Sequence, residues 1–252
     1  MEELVRLFYI LALTPTLAFA NPIDDQCAQH TIFGAPVSSI ETNTQYICHI
    51  NYAIHYRYDT KTAEYVVEHL DAADISGESK RKDDFRQDDA IPNDKEATLE
   101  DYSGEPYDRG HLVPAADNRT SEEVMSESFF LSNMVPQVPN HNRGIWRILE
   151  AKTRDLGLTK DIYVISGTIY DEGYLTIGDG KVGVPTSLWK VIYNNTDHTV
   201  IAFLFPNAAL PVADMPNYVI SISDLEQRTR LDFFPKINID YEQSAFSAFF
   251  PS

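Results

Sequence analysis

Residues 107–150 read YDRGHLVPAADNRTSEEVMSESFFLSNMVPQVPNHNRGIWRILE. Arg109 and His111 stand on either side of Gly110, and a set of neutral amides follows at Asn133, Gln137, Asn140 and Asn142. From Asn142 onward Ile145, Trp146, Leu149 and Leu156 recur at helical spacing, which predicts an amphipathic helix of about 15 residues carrying Glu150 and Arg154. A base, a hard-metal ligand and cations for a phosphate are the parts that phosphodiester hydrolysis requires.

Strand patterns surround this segment. Gln45 to Leu70 alternates as a β-meander, with a turn at Asp59-Thr60. Residues 161–169, 187–193 and 199–205 read as further strands, Ser126 to Val135 as a buried strand-like run, and Met215 to Gln227 as a short helix. Residues 21–44 read as an extended arm, and the charged stretch 71–106 as surface loop. One α+β domain over residues 21–252, with strands dominating and one long central helix, accounts for the pattern.

A length of 252 residues allows a substantial core, whereas the formal net charge of -18 opposes a polyanionic ligand at long range. Screening over roughly 8 Å at physiological ionic strength leaves room for a local cationic groove. The apolar run Leu7–Leu13 leads to Leu17-Ala18-Phe19-Ala20, an ending that fits signal-peptide cleavage before Asn21. Residues 1–20 are therefore expected to direct export, to the periplasm or as a secreted protein, although Glu2 and Glu3 outweigh Arg6; a buried N-terminal helix is the alternative. No segment has the length of a membrane span. With export, Cys27 and Cys48 are expected to form a disulfide, worth roughly 3 kcal/mol in the chain-entropy model; two free thiols are the other reading.

Each candidate residue has a structural reading beside its chemical one. His111 could be a packed histidine, but neutral imidazole beside Arg109 can take a proton from water while the guanidinium draws in a phosphate. Asn142 either caps the helix or offers an amide oxygen to Mg²⁺, which prefers oxygen ligands and accepts few protein groups. Glu150 lies two turns further on, about 12 Å of rise and about 80° of rotation in a regular helix, so an indirect role through a water of the ion's shell is expected. Arg154 follows at i+4, either as a surface ion pair with Glu150 or as a phosphate contact. Sequons at Asn118 and Asn194 are present by pattern, with no glycan expected at Asn118 beside the box.

The box Asp108–His111, followed by the spaced SNxxPQxxxxNxGxWxxLE run from Asn133 to Glu150, resembles the sugar-non-specific DNA/RNA endonucleases. That family includes secreted bacterial nucleases and mitochondrial endonuclease G. The likeness extends over residues 45–236. It implies a ββα-metal (His-Me finger) fold with a central antiparallel sheet and one active-site helix. By the same likeness His111 is the general base, Asn142 the direct Mg²⁺ ligand (Mn²⁺ substituting) and Glu150 a holder of the ion's water. Arg154, Arg109 and Asn133 match positions that serve substrate binding, Asn133 also supporting the site by hydrogen bonding, and Arg81, four residues before Phe85, matches an upstream arginine of the site. DNA and RNA are the implied substrates, cut with little sequence preference to 5′-phosphate ends. A small-diester phosphodiesterase and a binding protein with a decayed site are the competing readings. Neither an inhibitor protein nor a homodimer is legible in the sequence.

Overall fold

The computed structural model describes residues 26–236 and 242–250. The expected signal peptide, residues 1–20, lies outside the described residues. The meander forms as expected: β2 (Thr44–Cys48), β3 (Tyr52–Arg57) and β4 (Thr62–Leu70) pair antiparallel, after a short β1 (Val37–Ser38). β5 (Asp108–His111) and β6 (Met134–Gln137) make a separate antiparallel pair. The main sheet continues through β7 (Ile162–Ile169) and, after a small pair β8 (Thr176–Ile177) and β9 (Val182–Gly183), through β10 (Ser187–Asn194) and β11 (Thr199–Pro206). With β12 (Val219–Ile220) its order is β12-β11-β10-β7-β4-β3-β2, antiparallel at every step. β13 (Leu231–Asp232) pairs with β1, and β14 (Glu242–Gln243) pairs parallel to β11.

Both faces of this sheet are covered, which explains why its central strands are apolar on both sides. One face packs Val66, Leu70, Val164, Leu188 and Ile192 against Trp146 and Leu149 of the active-site segment. The other packs Val67, Ile165, Trp189 and Val191 against Phe33, Leu225 and Phe233. Period two also puts polar residues on the first face, among them Glu68, Ser166 and Lys190, all buried. Ser166 pairs in register with Lys190 and Glu68 with Val164, so this polar row runs through the centre of the sheet.

Four local expectations are corrected. Residues 71–106 are not merely surface loop: they hold a short helix α1 (Ala72–Ile75), and Ile91, Glu96, Ala97, Asp101 and Tyr102 are buried. The carboxylates there are buried because backbone amides satisfy them, Glu96 accepting from the Asp88 N–H and Asp101 from the Thr98 and Gly180 N–H groups. The run Ser126–Val135 is buried but becomes strand only at its end, because α2 (Glu122–Glu127), capped by Ser121, and a 3₁₀ turn at Leu131–Asn133 come first. The helix expected at Met215–Gln227 is split: a 3₁₀ segment Val212–Tyr218 containing Pro216 gives way to β12, and α4 (Ile222–Thr229) starts afresh from its Ser221 cap. The arm is not loosely extended, since Phe33 is fully buried and Cys27 bridges Cys48 on β2. A last helix, α5 (Phe246–Phe249), packs on the first face. Among the described residues no helix is long and apolar enough to cross a membrane.

Candidate active site

The β5–β6 pair and the helix after it bring the site together. His111 lies opposite Met134 in register, and Gly110 lies opposite Val135. A Cβ on Gly110 would stand 2.8 Å from Gln137 Cβ, so a side chain here would push Gln137 aside. Asn133 is fully buried; its Oδ1 accepts the Val113 N–H at 2.9 Å and its Nδ2 donates to the Val113 and Ser128 carbonyls. It thus braces the turn after His111, and the expectation that it touches substrate is corrected: its polar atoms are spent within the fold. The Asn118 sequon is likewise buried, its amide donating to the Pro114 carbonyl.

The helix begins irregularly. A wide π-type turn, His141–Trp146, contains Gly144 at φ -104°, ψ -110°, and α3 (Arg147–Gly157) follows. The regular-helix estimate that separated Asn142 from Glu150 therefore fails. Both line one cavity of about 350 Å³, together with Arg81, Arg109, His111 and Arg154. The α-helix proper is shorter than expected, since the Gly144 kink consumes its first turn.

Asn142 does not cap the helix with its side chain. Its Nδ2 donates to Asp108 Oδ2 at 2.9 Å, and Arg143 donates to both oxygens of the same carboxylate. Despite partial burial, these bonds hold Asp108 below the usual carboxylate range. An ionised carboxylate only accepts, so the amide nitrogen of Asn142 must face Asp108 and its carbonyl oxygen is left over. That oxygen and the Glu150 carboxylate are hard donors of the type that suits Mg²⁺.

His111 is buried between the Phe85 and Phe129 rings, with centroids at 5.8 and 5.1 Å. Trp146 Nε1 donates to its carbonyl at 3.2 Å, tying the helix start to β5. His111 Nε2 has no hydrogen-bond partner among the described residues. Burial first, and then the charges of Arg81 and Arg109, push its pKa down to about 3, so the imidazole is neutral at pH 7. Arg109 lies over the Phe85 ring at 4.4 Å and its buried Nε is also unpartnered. Arg81 lies over Phe129 at 4.9 Å and pairs with Asp83.

Behind the cavity, Arg154 does not pair with Glu150; its Nε donates to the buried carboxylate of Asp117. Burial, against the pull of Arg154 and Lys190, brings Asp117 up to about 6. Burial likewise raises Glu150 to about 7, with Lys190 pulling it down and Asp117 pushing it up. Lys190 donates to Ser166 and sits over the Trp146 ring at 4.8 Å; its pKa is lowered by burial, while Glu68, Glu150 and Asp117 oppose the shift. Asp108 was read only as part of the box; Asp117, Lys190 and Glu68 escaped the sequence reading, as did Arg143 and Arg147 on the cavity wall. The signal for two of them was present: Lys190 and Glu68 interrupt apolar strands, where an unpaired charge would be costly.

A second group of possible cation ligands, His69, Asp71 and Asp74, has its donor atoms within 4.8 Å of one another. Each is already engaged: Asp71 caps α1, Asp74 accepts the Asp71 N–H, and His69 pairs with Asp161.

Comparison with known proteins matches residues 29–239 to the DNA/RNA non-specific endonuclease family, a longer match than the sequence likeness over 45–236 because the packed arm is included. The zebrafish (Danio rerio) mitochondrial nuclease EXOG is 37% identical over 223 residues, covering 81% of this chain and 64% of that protein. Human mitochondrial endonuclease G is 34% identical, covering 74% of this chain and 68% of that protein. The chain thus spans less than two thirds of the EXOG relative. Among solved structures, that of an EndoG/EndoGI complex, described as explaining EndoG inhibition, superposes with a TM-score of 0.76 at 28% identity, covering 84% of this chain and 93% of that one. The α+β, ββα-metal architecture stands on this likeness. The expectation of export, periplasmic or secreted, is overturned, because the similar EXOG and endonuclease G proteins are mitochondrial. A short apolar run with one base and an Ala-x-Ala ending is a compositional signal only, and composition does not specify which receptor reads it. The Cys27–Cys48 bridge rests on its own geometry, with Cα atoms 5.8 Å apart.

Proposed function

The chain belongs to the family of DNA/RNA non-specific endonucleases, and from that membership we propose that it hydrolyses DNA and RNA with His111 as general base and Mg²⁺ held by Asn142. The observation that carries the reading is a neutral His111 imidazole lining one cavity with Asn142, Glu150 and five arginines, Arg81, Arg109 and Arg154 among them. The His111 imidazole takes a proton from water as the water oxygen bonds to phosphorus. The P–O3′ bond breaks in line, the 3′ oxygen gains a proton from solvent, and the products are a 5′-phosphate and a 3′-hydroxyl. Arg109 and Arg154, braced by Phe85 and Asp117, neutralise the non-bridging oxygens as charge grows there. Phe85 and Phe129 hold the imidazole plane and keep bulk water from its far side. Asp108 fixes the amide of Asn142, whose oxygen would hold the cation, while Glu150 would hold a water of its shell. When bound, Mg²⁺ supplies charge stabilisation at the phosphate and its leaving oxygen, and Mn²⁺ is the expected substitute. The names of the relatives support a mitochondrial setting.

The test is digestion of supercoiled plasmid and of RNA by the full chain, with Mg²⁺ and with EDTA, alongside His111→Ala. Cleavage that needs Mg²⁺ and falls about 10²–10⁴-fold in the variant is expected. A variant retaining more than about a tenth of the wild-type rate would remove His111 as the base.

A further inference from the structure

Beside the His111 cavity lies a second one of about 340 Å³, and Arg81, Ala115 and Ala116 form the wall between them. Its floor is apolar, made by Ala115 and Met125, both buried. Its rim carries two exposed cations, Lys80 and Arg119. The cations around them are spent on carboxylates: Arg81 on Asp83, Lys82 on Glu122, Arg143 on Asp108 and Arg154 on Asp117. Lys80 and Arg119 have no such partner among the described residues. In a chain of net charge -18, two cations without a carboxylate partner on the lip of one hollow are a local place for an anion.

The hollow is built by two loops fastened to each other. The Ser79 N–H donates to the Arg119 carbonyl at 3.1 Å. Gly77 packs directly on that carbonyl, where an added Cβ would stand 1.8 Å from the oxygen. The spacing of Lys80 and Arg119 is therefore held by backbone contacts and does not depend on the two side chains themselves.

An apolar floor, a cationic rim and a shared wall with the catalytic cavity suit one occupant: the nucleotide adjoining the scissile phosphate. We propose that this hollow is a flanking-nucleotide subsite, with the base against Ala115, Ala116 and Met125 and the next phosphate between Lys80 and Arg119. The inference rests on the nuclease reading above and deepens it, because it makes a strand a better substrate than an isolated diester.

The experiment compares the full-length wild-type chain with Lys80→Ala/Arg119→Ala, in Mg²⁺ at fixed ionic strength. The substrates are bis(p-nitrophenyl) phosphate, which has no second phosphate to reach Lys80 and Arg119, and a single-stranded dodecanucleotide. The expected result is a KM for the dodecanucleotide raised about tenfold, with its kcat and the small-diester rate unchanged within about twofold. The retained diester rate also shows that the variant is folded. An unchanged KM for the dodecanucleotide overturns the subsite while the nuclease reading stands. An equal loss on both substrates also overturns it, since the two residues would then act on the catalytic cavity or the fold. If the wild type cleaves neither substrate, the nuclease reading itself falls and the subsite falls with it.

Discussion

Arg154 on α3 is held from behind by Asp117, whose carboxylate is buried in the turn that follows His111. The bond links the two halves of the site across the cavity, and it diverts Arg154 from Glu150, its neighbour at i+4. Asp117→Asn should lower kcat/KM about 100-fold by freeing the guanidinium. It should also cost roughly 3 kcal/mol of stability, as removing one partner of a buried pair does. Rates and a urea melt on the same preparation check both. Unchanged kcat/KM with reduced stability would make Asp117 structural only.

Asp108 orients the amide of Asn142 and accepts from Arg143 with both oxygens. Asp108→Ala should raise the Mg²⁺ concentration for half-maximal activity by about 10–100-fold, with kcat recovering at saturation. Asn142→Ala should not recover in the same titration. If both variants saturate where the wild type does, the cation is held elsewhere.

The two titrating groups in the cavity are separated by their surroundings. Burial raises Glu150 to about 7 and, with Arg81 and Arg109, lowers His111 to about 3. A carboxylate that works ionised is competent above its pKa and is lost as pH falls through it. The acid limb of kcat/KM, at neutral pH or somewhat below it once the cation is bound, therefore belongs to Glu150. Glu150→Gln should cut the rate about tenfold and flatten the profile down to about pH 5. A limb that survives in this variant at the wild-type position would reassign it.

Net charge and local charge oppose each other. The cavity wall carries Arg81, Arg109, Arg143, Arg147 and Arg154, while the whole chain is at -18. Salt screens the long-range repulsion of a polyanion before it weakens close contacts. Activity at saturating Mg²⁺ should therefore pass through a maximum at intermediate ionic strength. A steady fall of kcat/KM from the lowest salt upward would show that the cavity cations alone govern association.

Alternation located the meander and continuous apolar runs the three later strands, because a sheet covered on both faces makes its central strands apolar on both sides. The family resemblance carried by the two boxes marked His111, Asn142 and Glu150, with Arg154 on the helix just beyond them, whereas local context alone left a structural reading open for each. Other features were settled only by tertiary structure. The kink at Gly144 turned Asn142 and Glu150 toward one cavity, where a regular helix would have set them apart. Asn133 was drawn inward by the Val113 backbone, and Arg154 was claimed by Asp117, a partner 37 residues away in sequence. Lys190 and Glu68 met beneath the site because strand register, set by packing along the whole sheet, put them on the face toward Trp146. Periodicity and spacing report energies between near neighbours in the chain, whereas burial of a charge and the choice of its partner depend on groups that only the closed fold brings together.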